Sequence, residues 1–291
     1  MKIQTSSPPV SRVEFCIILV NWNCSSLIID RLKDLSPRHS LIVVDNNSDD
    51  WESIEQFVAK SNFDVTLLRL ESNLGFGGGM NAGMREAERL GFKYVLLLNP
   101  DAFPEPNQLD LMLSRLNEFD VIGIQQVTKI SSNHLKPYPC AAVLRRGRFV
   151  AIETVDKDFQ EVDLVTGAAI LLKLDFAKKV GFIDERFFHY KEEFDFTYRM
   201  GVSGARVCIV GGAPLIHLSG HSLNHESPMS SYYWVRNEIL FLQIVDVVPF
   251  FQKVISVAAT IISRFKKNGV RHTFAIIQGF AHGIASRGGK F

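Results

Sequence analysis

The chain lacks the features that mark secreted, membrane-spanning or nucleic-acid-binding proteins. Its four cysteines have no paired spacing, which argues against a disulfide scaffold and favours a reducing, cytoplasmic compartment. The N-terminal MKIQTSSPPV has no apolar core of the kind a signal peptide needs, and residues 1–12 are predicted to be disordered. The apolar stretch 239–262 is broken by Asp246, Pro249 and Lys253, whereas a spanning helix needs about 20 nearly uncharged residues. A net charge of +1 gives no general attraction to nucleic acid.

The length and the charge distribution limit the possible domain organisation and partners of the chain. The 291 residues, 46% of them hydrophobic, suffice for one large domain with an appendage. Residues 231–291 carry eight Lys or Arg against Glu238 and Asp246, so this tail is +6 and the remainder is −5. The excess of positive charge predicts that the tail faces an anionic surface.

Apolar β-rich runs alternate with amphipathic segments over the first 125 residues. The runs are 15–22, 41–45, 65–70 and 94–99, and helical patterns occupy 25–35, 51–60 and a segment that begins near Gly78. Continuous apolar strands that alternate with helices predict an α/β fold with a mostly parallel, Rossmann-like sheet covered on both faces. In such sheets ligands bind beyond the carboxyl ends of the strands, so the polar residues that follow the strands are the candidates for function.

Two of these strand ends carry carboxylates. Asp45, in VDNNSDD, is suited to accept hydrogen bonds from a nucleoside base or ribose, but it equally fits a cap of the following helix together with Ser48. Asn99 and Asp101, in LLLNPDAF, lie two apart in what the pattern predicts as extended chain and so project to one side. Their oxygens suit Mg²⁺ or Mn²⁺, and the alternative is an Asn-Pro-Asp turn.

The glycine-rich segment ESNLGFGGGMNAGM contains Gly77-x-Gly79-x-x-Ala82, which formally matches the dinucleotide fingerprint. That fingerprint belongs directly after the first strand, whereas this segment follows the third. A loop close to a diphosphate, with helix N–H groups facing the negative charge, is the favoured interpretation. A tight loop with glycines at positive φ is the alternative.

Two further segments bear titratable groups. FFHYKEEFDFTYR places Glu192, Glu193 and Asp195 between aromatic residues, where like charge and desolvation raise the pKa of a carboxylate toward that of a general base. PLIHLSGHS places His217 and His221 after an apolar strand, as metal ligands or as packing residues.

Seven segments occur in one order: VNWN (20–23), VDNNS (44–48), NLGFGGGMNAG (73–83), LLLNPD (96–101), VTGAAILLK (165–173), GFIDERFFHYKEEFDFTYR (181–199) and IHLSGHS (216–222). Together they resemble the inverting glycosyltransferase family 2, and within it the rhamnosyltransferase-like branch. The resemblance implies a GT-A fold over residues 13–230, followed by a helical C-terminal region over 231–291.

The resemblance also implies roles for single residues. Val20, Trp22 and Asp45 match positions that hold the base and ribose of the donor, and the loop Asn73–Gly79, which includes Gly77, matches the loop beside its diphosphate. Asn99-Pro100-Asp101 matches the Asp-x-Asp motif, with Asp101 as the metal-binding member and Asn at the first position. Glu192-Glu193 matches a Glu-Asp pair in which Glu193, one methylene longer than Asp, is the general base. His217 matches a histidine that ligates the metal in some relatives.

These roles imply an inverting sugar transferase that uses a divalent cation, Mg²⁺ or Mn²⁺. The donor is a nucleoside-diphosphate sugar, with dTDP or UDP as the nucleotide, and rhamnose is the sugar that the branch suggests. The acceptor is a saccharide or a lipid-linked saccharide of a bacterial envelope polymer, and nucleic acid is not expected as a partner.

The tail and two rival functions complete the expectations. Arg264, Lys266, Lys267 and Arg271 follow apolar helical sequence, a pattern typical of a helix that lies on the inner face of the cell membrane; a homodimer contact is the alternative. The rivals are a nicotinamide-dependent oxidoreductase, based on the glycines, and a catalytically inactive relative that acts at a membrane surface.

Overall fold

The computed structural model describes residues 15–35, 39–131, 134–218 and 227–290. The predicted disorder of residues 1–12 and the candidate ligand His221 lie outside these ranges. The strands are β1 (Phe15–Asn21), β2 (Ser40–Asp45), β3 (Val65–Arg69), β4 (Tyr94–Leu98), β5 (Ala102–Phe103), β6 (Val121–Ser131), β7 (His134–Tyr138), β8 (Ala141–Arg145), β9 (Arg148–Ile152), β10 (Phe159–Glu161), β11 (Leu164–Val165), β12 (Ala169–Lys173) and β13 (Val207–His217). The helices are α1 (Ser25–Leu35), α2 (Trp51–Ala59), α3 (Gly75–Arg89), α4 (Pro106–Leu113), α5 (Leu174–Lys179), α6 (Glu192–Val202), α7 (Pro228–Ile244), α8 (Phe250–Asn268) and α9 (Thr273–Ile284), with a 3₁₀ turn at Gly269–His272.

The main sheet has the strand order β10-β13-β6-β12-β4-β1-β2-β3, with β5 paired to β13 and β7 paired to β6. Strands β4, β1, β2 and β3 run parallel to one another. Strand β12 is antiparallel to both of its neighbours, β4 and β6, and β6 is parallel to β13. The α/β sheet flanked by helices that the sequence predicts is confirmed.

Both faces of this sheet are covered, which explains the unbroken apolar runs. Ile18 and Val20 of β1 face the cluster that α3 completes, while Ile17 and Leu19 face the cluster of α1, α2 and α4. All four are at most 7% exposed. Each such side chain contributes about 1.5–3 kcal/mol relative to its exposed state, so a polar residue on either face would be costly.

Helix α3 begins at Gly75, three residues before the predicted start near Gly78. Its glycines allow close packing. A Cβ on Gly79 would lie 2.8 Å from Cγ1 of Val20, and one on Gly83 would lie 2.4 Å from Cγ2 of Ile18. The helix can therefore lie directly against β1, where any larger side chain would force it away.

Helix α7 begins at Pro228 because the Ser227 hydroxyl accepts a hydrogen bond from the Ser230 N–H at 3.1 Å and proline tolerates the first helical position. The predicted domain boundary at residue 230 falls inside this helix. Leu240 and Phe241 of α7 pack with Leu164 and Phe187 in one buried cluster. The first helix of the tail therefore shares a core with the three-stranded sheet β11-β8-β9 and with the segment before α6.

Helices α8 and α9 pack on α7 and leave apolar side chains in contact with solvent. Phe250 is 82% exposed, Phe274 is 75% exposed and Ile277 is 60% exposed. Within the described ranges, no helix combines the length and the apolar character needed to cross a membrane.

Candidate active site

The carboxyl ends of β1, β2 and β4 meet at one edge of the sheet, as parallel neighbours must. A cavity of about 220 Å³ opens there, which we call the strand-end cavity. Its lining includes Val20, Trp22, Asn46, Asn73, Gly75, Phe76, Asn99, Phe188 and His189. Four of the predicted donor-binding residues therefore lie together: Val20, Trp22, Asn73 and Asn99.

Asp45 and Gly77 do not line this cavity. Asp45 is fully buried, and its carboxylate accepts hydrogen bonds from Nδ2 of Asn21 at 2.9 Å and from the Ser48 N–H at 3.0 Å. The alternative role as a helix cap is wrong, because the N-cap of α2 is Asp50. The internal bonds of Asp45 hold the turn after β2, and its contact with a donor stays a prediction.

The glycine-rich loop is held by Asn46, a residue that the sequence argument passed over. Asn46 Oδ1 accepts from the Leu74 N–H at 2.9 Å, and its Nδ2 donates to the Gly75 carbonyl at 2.8 Å. Gly75 has φ +78°, as the tight-loop interpretation requires. Gly77 is helical instead, and a Cβ there would lie 2.7 Å from Cγ2 of Ile183, so the glycine allows close packing, and its contact with a donor stays a prediction.

The placement of the glycines decides against the nicotinamide-dependent oxidoreductase. Gly77 and Gly79 lie inside α3, after β3, whereas the fingerprint requires a turn between the first strand and its helix. The segment does present the N-terminus of α3 beside the strand-end cavity, since Gly75 lines it. A diphosphate near this helix end therefore remains the prediction.

Asn99 and Asp101 lie in a turn, not in extended chain, because the Ala102 N–H donates to the Asn99 carbonyl at 3.1 Å. Both side chains nevertheless reach a second cavity of about 360 Å³, which we call the acidic cavity. Its lining includes Phe76, Asn99, Asp101, Tyr138, Thr166, Gly167, His189, Tyr190, Lys191, Glu192, Glu193, Phe194, His217, Trp234, Arg264 and Lys267. It shares Phe76, Asn99 and His189 with the strand-end cavity, so the two cavities adjoin.

His217 and Asp101, the two predicted metal ligands, are brought together at the end of β13. His217 Nε2 lies 3.2 Å from Oδ1 of Asp101, and both residues are at most 8% exposed. The buried Nδ1 of His217 has no hydrogen-bond partner among the described residues. A nitrogen and a carboxylate side by side suit a divalent cation.

These two predicted ligands do not by themselves make a complete metal site. In residues 15–35, 39–131, 134–218 and 227–290, no three His, Cys, Asp or Glu side chains form a group that could hold a metal ion. Hard cations such as Mg²⁺ commonly take one or two carboxylates and complete their shell with substrate phosphates and water. The pair therefore fits a cation that arrives with a diphosphate.

Glu192 and Glu193 form the first turn of α6, where the helix dipole favours carboxylates. Burial raises the pKa of Glu192 well above its ordinary value, and the charge of Glu193 adds to this rise. Burial also raises the pKa of Glu193, against the opposing effects of its helix N–H and the neighbouring His217. Both carboxylates line the acidic cavity, and Glu192 is only 3% exposed while Glu193 is half-buried.

The third acid of this segment has a structural role. Asp195 is fully buried and pairs with Arg199 at 2.7 Å. Arg199 also donates to the carbonyls of Val180 and Phe182 at 2.5 and 2.8 Å. Asp195 therefore anchors α6 to the preceding loop and does not line the acidic cavity.

The segment before α6 is held in place by α7, which the sequence argument did not foresee. Phe188, Tyr190 and Lys191 have φ of 57°, 68° and 67°, a conformation that costs a residue with a side chain about 1–2 kcal/mol. Asn237 Nδ2 donates to the carbonyls of Phe187, His189 and Tyr190 at 2.8, 2.7 and 2.7 Å.

Arg236 holds the same segment, and we call the contacts of Arg236 and Asn237 with it the α7 clamp. The Arg236 guanidinium is fully buried and donates to the carbonyls of Arg186, Phe187 and Gly289 at 2.9, 2.7 and 2.6 Å. An Arg-Asn pair inside the apolar helix YYWVRNEIL was the signal in the sequence, because buried polar groups require partners. Arg236 and Asn237 therefore position the paired glutamates without touching them.

The tail also reaches the acidic cavity through Arg264 and Lys267. The prediction that Arg264 belongs to an exposed basic cluster is wrong, since it is 9% exposed. Its guanidinium donates to the hydroxyls of Ser231 and Ser230 at 3.2 and 2.7 Å, which joins α8 to α7. Lys266, Lys267 and Arg271 remain exposed, as predicted.

The four cysteines are free thiols, as the sequence indicates. Cys16, Cys140 and Cys208 are buried, and burial raises the pKa of each to about 12. Cys24, near the strand-end cavity, has a pKa raised to about 11, again by burial. Such thiols are protonated at neutral pH, so none of them is an activated nucleophile.

Known proteins resemble the chain along most of its length. The hexosyltransferase Agl10 of low-salt glycan biosynthesis, from Haloferax volcanii, is 25% identical over 293 residues, which is 95% of this chain and 93% of the relative. The N-acetylglucosaminyl-diphospho-decaprenol L-rhamnosyltransferase of Mycobacterium tuberculosis is 23% identical over 214 residues, 64% of this chain and 69% of the relative.

The fold is similar to that of solved structures. The mannosyltransferase PcManGT from Pyrobaculum calidifontis, in complex with GDP-Man and Mn²⁺, superposes with a TM-score of 0.59 at 12% identity, covering 95% of this chain and 75% of that one. This likeness confirms the expected GT-A fold. The family model described as glycosyl transferase family 2 matches residues 16–181, more than half of the chain. Because this match covers more than half of the chain, the chain belongs to glycosyl transferase family 2.

Proposed function

We propose that this glycosyltransferase moves a sugar from a nucleoside-diphosphate donor to a hydroxyl acceptor with inversion at the anomeric carbon. The proposal rests on one observation. Asp101, His217 and Glu193 line the same cavity, and that cavity adjoins the strand-end cavity. The base and ribose of the donor would contact Val20 and Trp22, and its diphosphate would extend toward Asn99 and Asp101.

Glu193 acts as the general base in this reaction. It takes the proton of the acceptor hydroxyl as that oxygen forms its bond to the anomeric carbon. The bond from this carbon to the diphosphate breaks at the same time, and the diphosphate leaves with the bonding electrons. The raised pKa of Glu193 brings its basicity closer to neutral pH, which favours proton transfer. One displacement needs no enzyme nucleophile.

Asp101 and His217 would hold the divalent cation, Mg²⁺ or Mn²⁺. When bound, the cation supplies Lewis-acid stabilisation of the negative charge on the departing diphosphate. The relative from Pyrobaculum calidifontis was solved with Mn²⁺ and GDP-Man, which supports a cation in this fold.

The acceptor that best fits the comparisons is a saccharide linked through a diphosphate to a lipid, in the synthesis of an envelope polysaccharide. The name of the Mycobacterium tuberculosis relative states such an acceptor and the transfer of rhamnose. We therefore propose rhamnose from a dTDP donor as the first candidate to test, with UDP-linked sugars next.

A lipid-linked acceptor would bring the enzyme to a membrane, and we propose the inner face of the cell membrane as its location. Apolar side chains on α8 and α9 are exposed beside Lys266, Lys267 and Arg271, the combination of a helix that lies in a membrane interface. Each cation near an anionic leaflet contributes about 1 kcal/mol. We propose peripheral binding that high salt weakens.

Flotation with anionic liposomes tests the membrane contact. Changing Lys266, Lys267 and Arg271 to Gln should abolish flotation, while the same charge change at the exposed Lys60, Lys157 and Lys178 should not. Equal flotation of the two variants would reject the proposal. A wild-type protein that does not float but dimerises in sedimentation would assign the apolar face to a second copy of the chain.

The donor assignment is tested by calorimetric titration of UDP or dTDP with and without Mn²⁺. We expect Asp101→Ala to remove Mn²⁺-dependent binding and leave the circular dichroism spectrum unchanged. Binding within about twofold of wild type, a difference of only about 0.4 kcal/mol, would reject Asp101 as a metal ligand. A protein that retains binding but never hydrolyses or transfers a donor sugar would favour the catalytically inactive relative.

A further inference from the structure

The residues that follow α9 return to the edge of the strand-end cavity. Helix α9 ends at Ile284, and Lys290 is one of the residues that line this cavity. We call residues 285–290 the return segment. The donor-binding candidates Val20 and Trp22 line the same cavity. A lysine of the tail therefore lies beside the place where the proposed function puts the nucleotide of the donor.

Hydrogen bonds of the backbone attach the return segment to the segment before α6. The Gly289 N–H donates to the Arg186 carbonyl at 2.8 Å, and the Gly289 carbonyl accepts from Nη1 of Arg236 at 2.6 Å. Arg236 also donates to the Arg186 carbonyl at 2.9 Å, so one buried guanidinium joins the two segments. The backbone next to Lys290 is therefore held by the α7 clamp.

Two glycines allow the return segment to lie this close. Gly289 has φ +85°, a left-handed conformation that favours glycine. A Cβ on Gly288 would lie 2.3 Å from Cβ of Arg186 and 2.7 Å from its Cα. Because that Cα belongs to the backbone, it cannot move aside as the end of a flexible side chain could. Any side chain at position 288 would push the return segment away from Arg186.

Lys290 brings a positive charge without an acidic partner to the strand-end cavity. The described residues of the lining include no aspartate, glutamate or arginine, and Lys290 is their one lysine. Within the described ranges, the exposed ammonium group of Lys290 takes part in no ion pair or hydrogen bond. Lys191 of the acidic cavity differs in this respect, since it pairs with Glu238 at 2.5 Å. An anion in the strand-end cavity would thus meet an available cation.

A nucleoside-diphosphate donor supplies such an anion. With its base and ribose at Val20 and Trp22, its diphosphate would extend toward Asn99, which lines the strand-end cavity together with Lys290. A lysine binds phosphate as a point charge with three N–H donors. No carboxylate among the described lining residues would repel the phosphates.

We propose that Lys290 binds the diphosphate of the nucleotide-sugar donor, and that this contact does not depend on the divalent cation. The proposal rests on the proposed function, which supplies the ligand. It also gives the α7 clamp a second role. Arg236 then holds both the segment that precedes the paired glutamates and the segment that carries a donor-binding residue.

Calorimetric titration in EDTA separates this contact from the cation. The probe is UDP or dTDP, whichever binds more tightly with Mn²⁺, and its own nucleoside is the comparison because it lacks only the phosphates. Wild type should bind the diphosphate at least about threefold more tightly than the nucleoside, the scale of an exposed ion pair. Lys290→Gln should weaken the diphosphate about threefold and leave the nucleoside unchanged. The matched control is Arg287→Gln, an exposed cation of the return segment that lines neither cavity.

Gly288→Ala tests the position of the return segment separately from the charge. We expect it to weaken the nucleoside diphosphate about as much as Lys290→Gln, because the added methyl group displaces Lys290 from the cavity. The double variant should bind no more weakly than Lys290→Gln alone, since both changes remove the same contact. Wild-type binding by Gly288→Ala would show that the return segment does not position Lys290.

Three results would overturn the proposal. The first is equal weakening of the nucleoside diphosphate by Lys290→Gln and Arg287→Gln, and the second is equal weakening of the nucleoside and its diphosphate by Lys290→Gln. The third is a larger effect of Lys290→Gln on farnesyl diphosphate, a probe of a lipid-linked diphosphate, which would assign the lysine to the acceptor. A wild-type protein that binds neither UDP nor dTDP with Mn²⁺ would instead reject the proposed function itself.

Discussion

The clamp of α7 on the segment before α6 permits a quantitative prediction for Asn237→Ala. The two Nδ2 hydrogens of Asn237 serve three carbonyls, and its Oδ1 accepts from Nε of Arg236 at 2.8 Å. Two donated bonds at about 1 kcal/mol each and one bond from a charged group at about 1.5 kcal/mol give a loss of about 3.5 kcal/mol.

The lost stabilisation should also affect catalysis, because its free energy is similar in size to the backbone strain in the segment before α6. Phe188, Tyr190 and Lys191, each at about 1–2 kcal/mol, store roughly 3–6 kcal/mol of left-handed backbone strain. With Asn237 removed, the segment loses three of the bonds to its carbonyls. It keeps the bonds of Arg236, the bond from the Phe76 N–H to the Phe188 carbonyl and the Lys191–Glu238 ion pair. We expect it to relax in part of the molecules, which moves Glu193 and lowers kcat much more than it raises KM for the donor.

Urea unfolding followed by circular dichroism measures the free energy, with Asn268→Ala as the matched control. Within the part of the chain that the structure describes, Asn268 makes one side-chain bond, to Ser231 at 3.2 Å, so its loss should cost about 1 kcal/mol or less. If Asn237→Ala costs no more than this control and kcat stays within twofold of wild type, α7 does not hold the glutamates and the reasoning fails.

Three further predictions concern the glutamates and the packing of α3. Glu193→Gln should lower kcat roughly 10²-fold or more with donor affinity within twofold, and a larger effect from Glu192→Gln would transfer the role of base to Glu192. Because burial raises the pKa of Glu192, wild-type stability falls as pH rises from the unfolded value of about 4.3 through the higher folded pKa. Glu192→Gln should therefore stabilise more at pH 8 than at pH 5 in urea unfolding, and an equal gain at both would exclude burial of the charge as the cause. Gly83→Ala should cost about 1–3 kcal/mol, since its Cβ would lie 2.4 Å from Cγ2 of Ile18; an unchanged urea midpoint would contradict that close packing.

The sequence by itself determined the strands and helices of the first hundred residues. Burial on both faces of the sheet requires apolar residues at every position of a strand, so 15–21, 40–45 and 94–98 were recognisable without contacts. The site residues that follow these strands could be found for the same reason. Parallel strands bring their carboxyl ends to one edge, and this placed Trp22 and Asn99 together.

Tertiary structure decided the contacts between distant segments. Asp101 and His217 meet because β5 pairs with β13, and the order of these strands has no local signature. The Arg-Asn pair in the apolar helix indicates that Asn237 needs buried partners, but only the fold shows that these partners are carbonyls of 187–190.

The C-terminal tail shows most clearly which features the sequence predicts and which the tertiary structure decides. Helical periodicity predicted α8, and the clustered cations predicted a basic surface. Periodicity fixes which residues share a face of a helix, but the neighbouring elements determine which face is buried. Packing against α7 turned Arg264 toward the active site and left Lys266 and Arg271 in solvent, because burial of a charged group depends on partners that only the folded chain supplies.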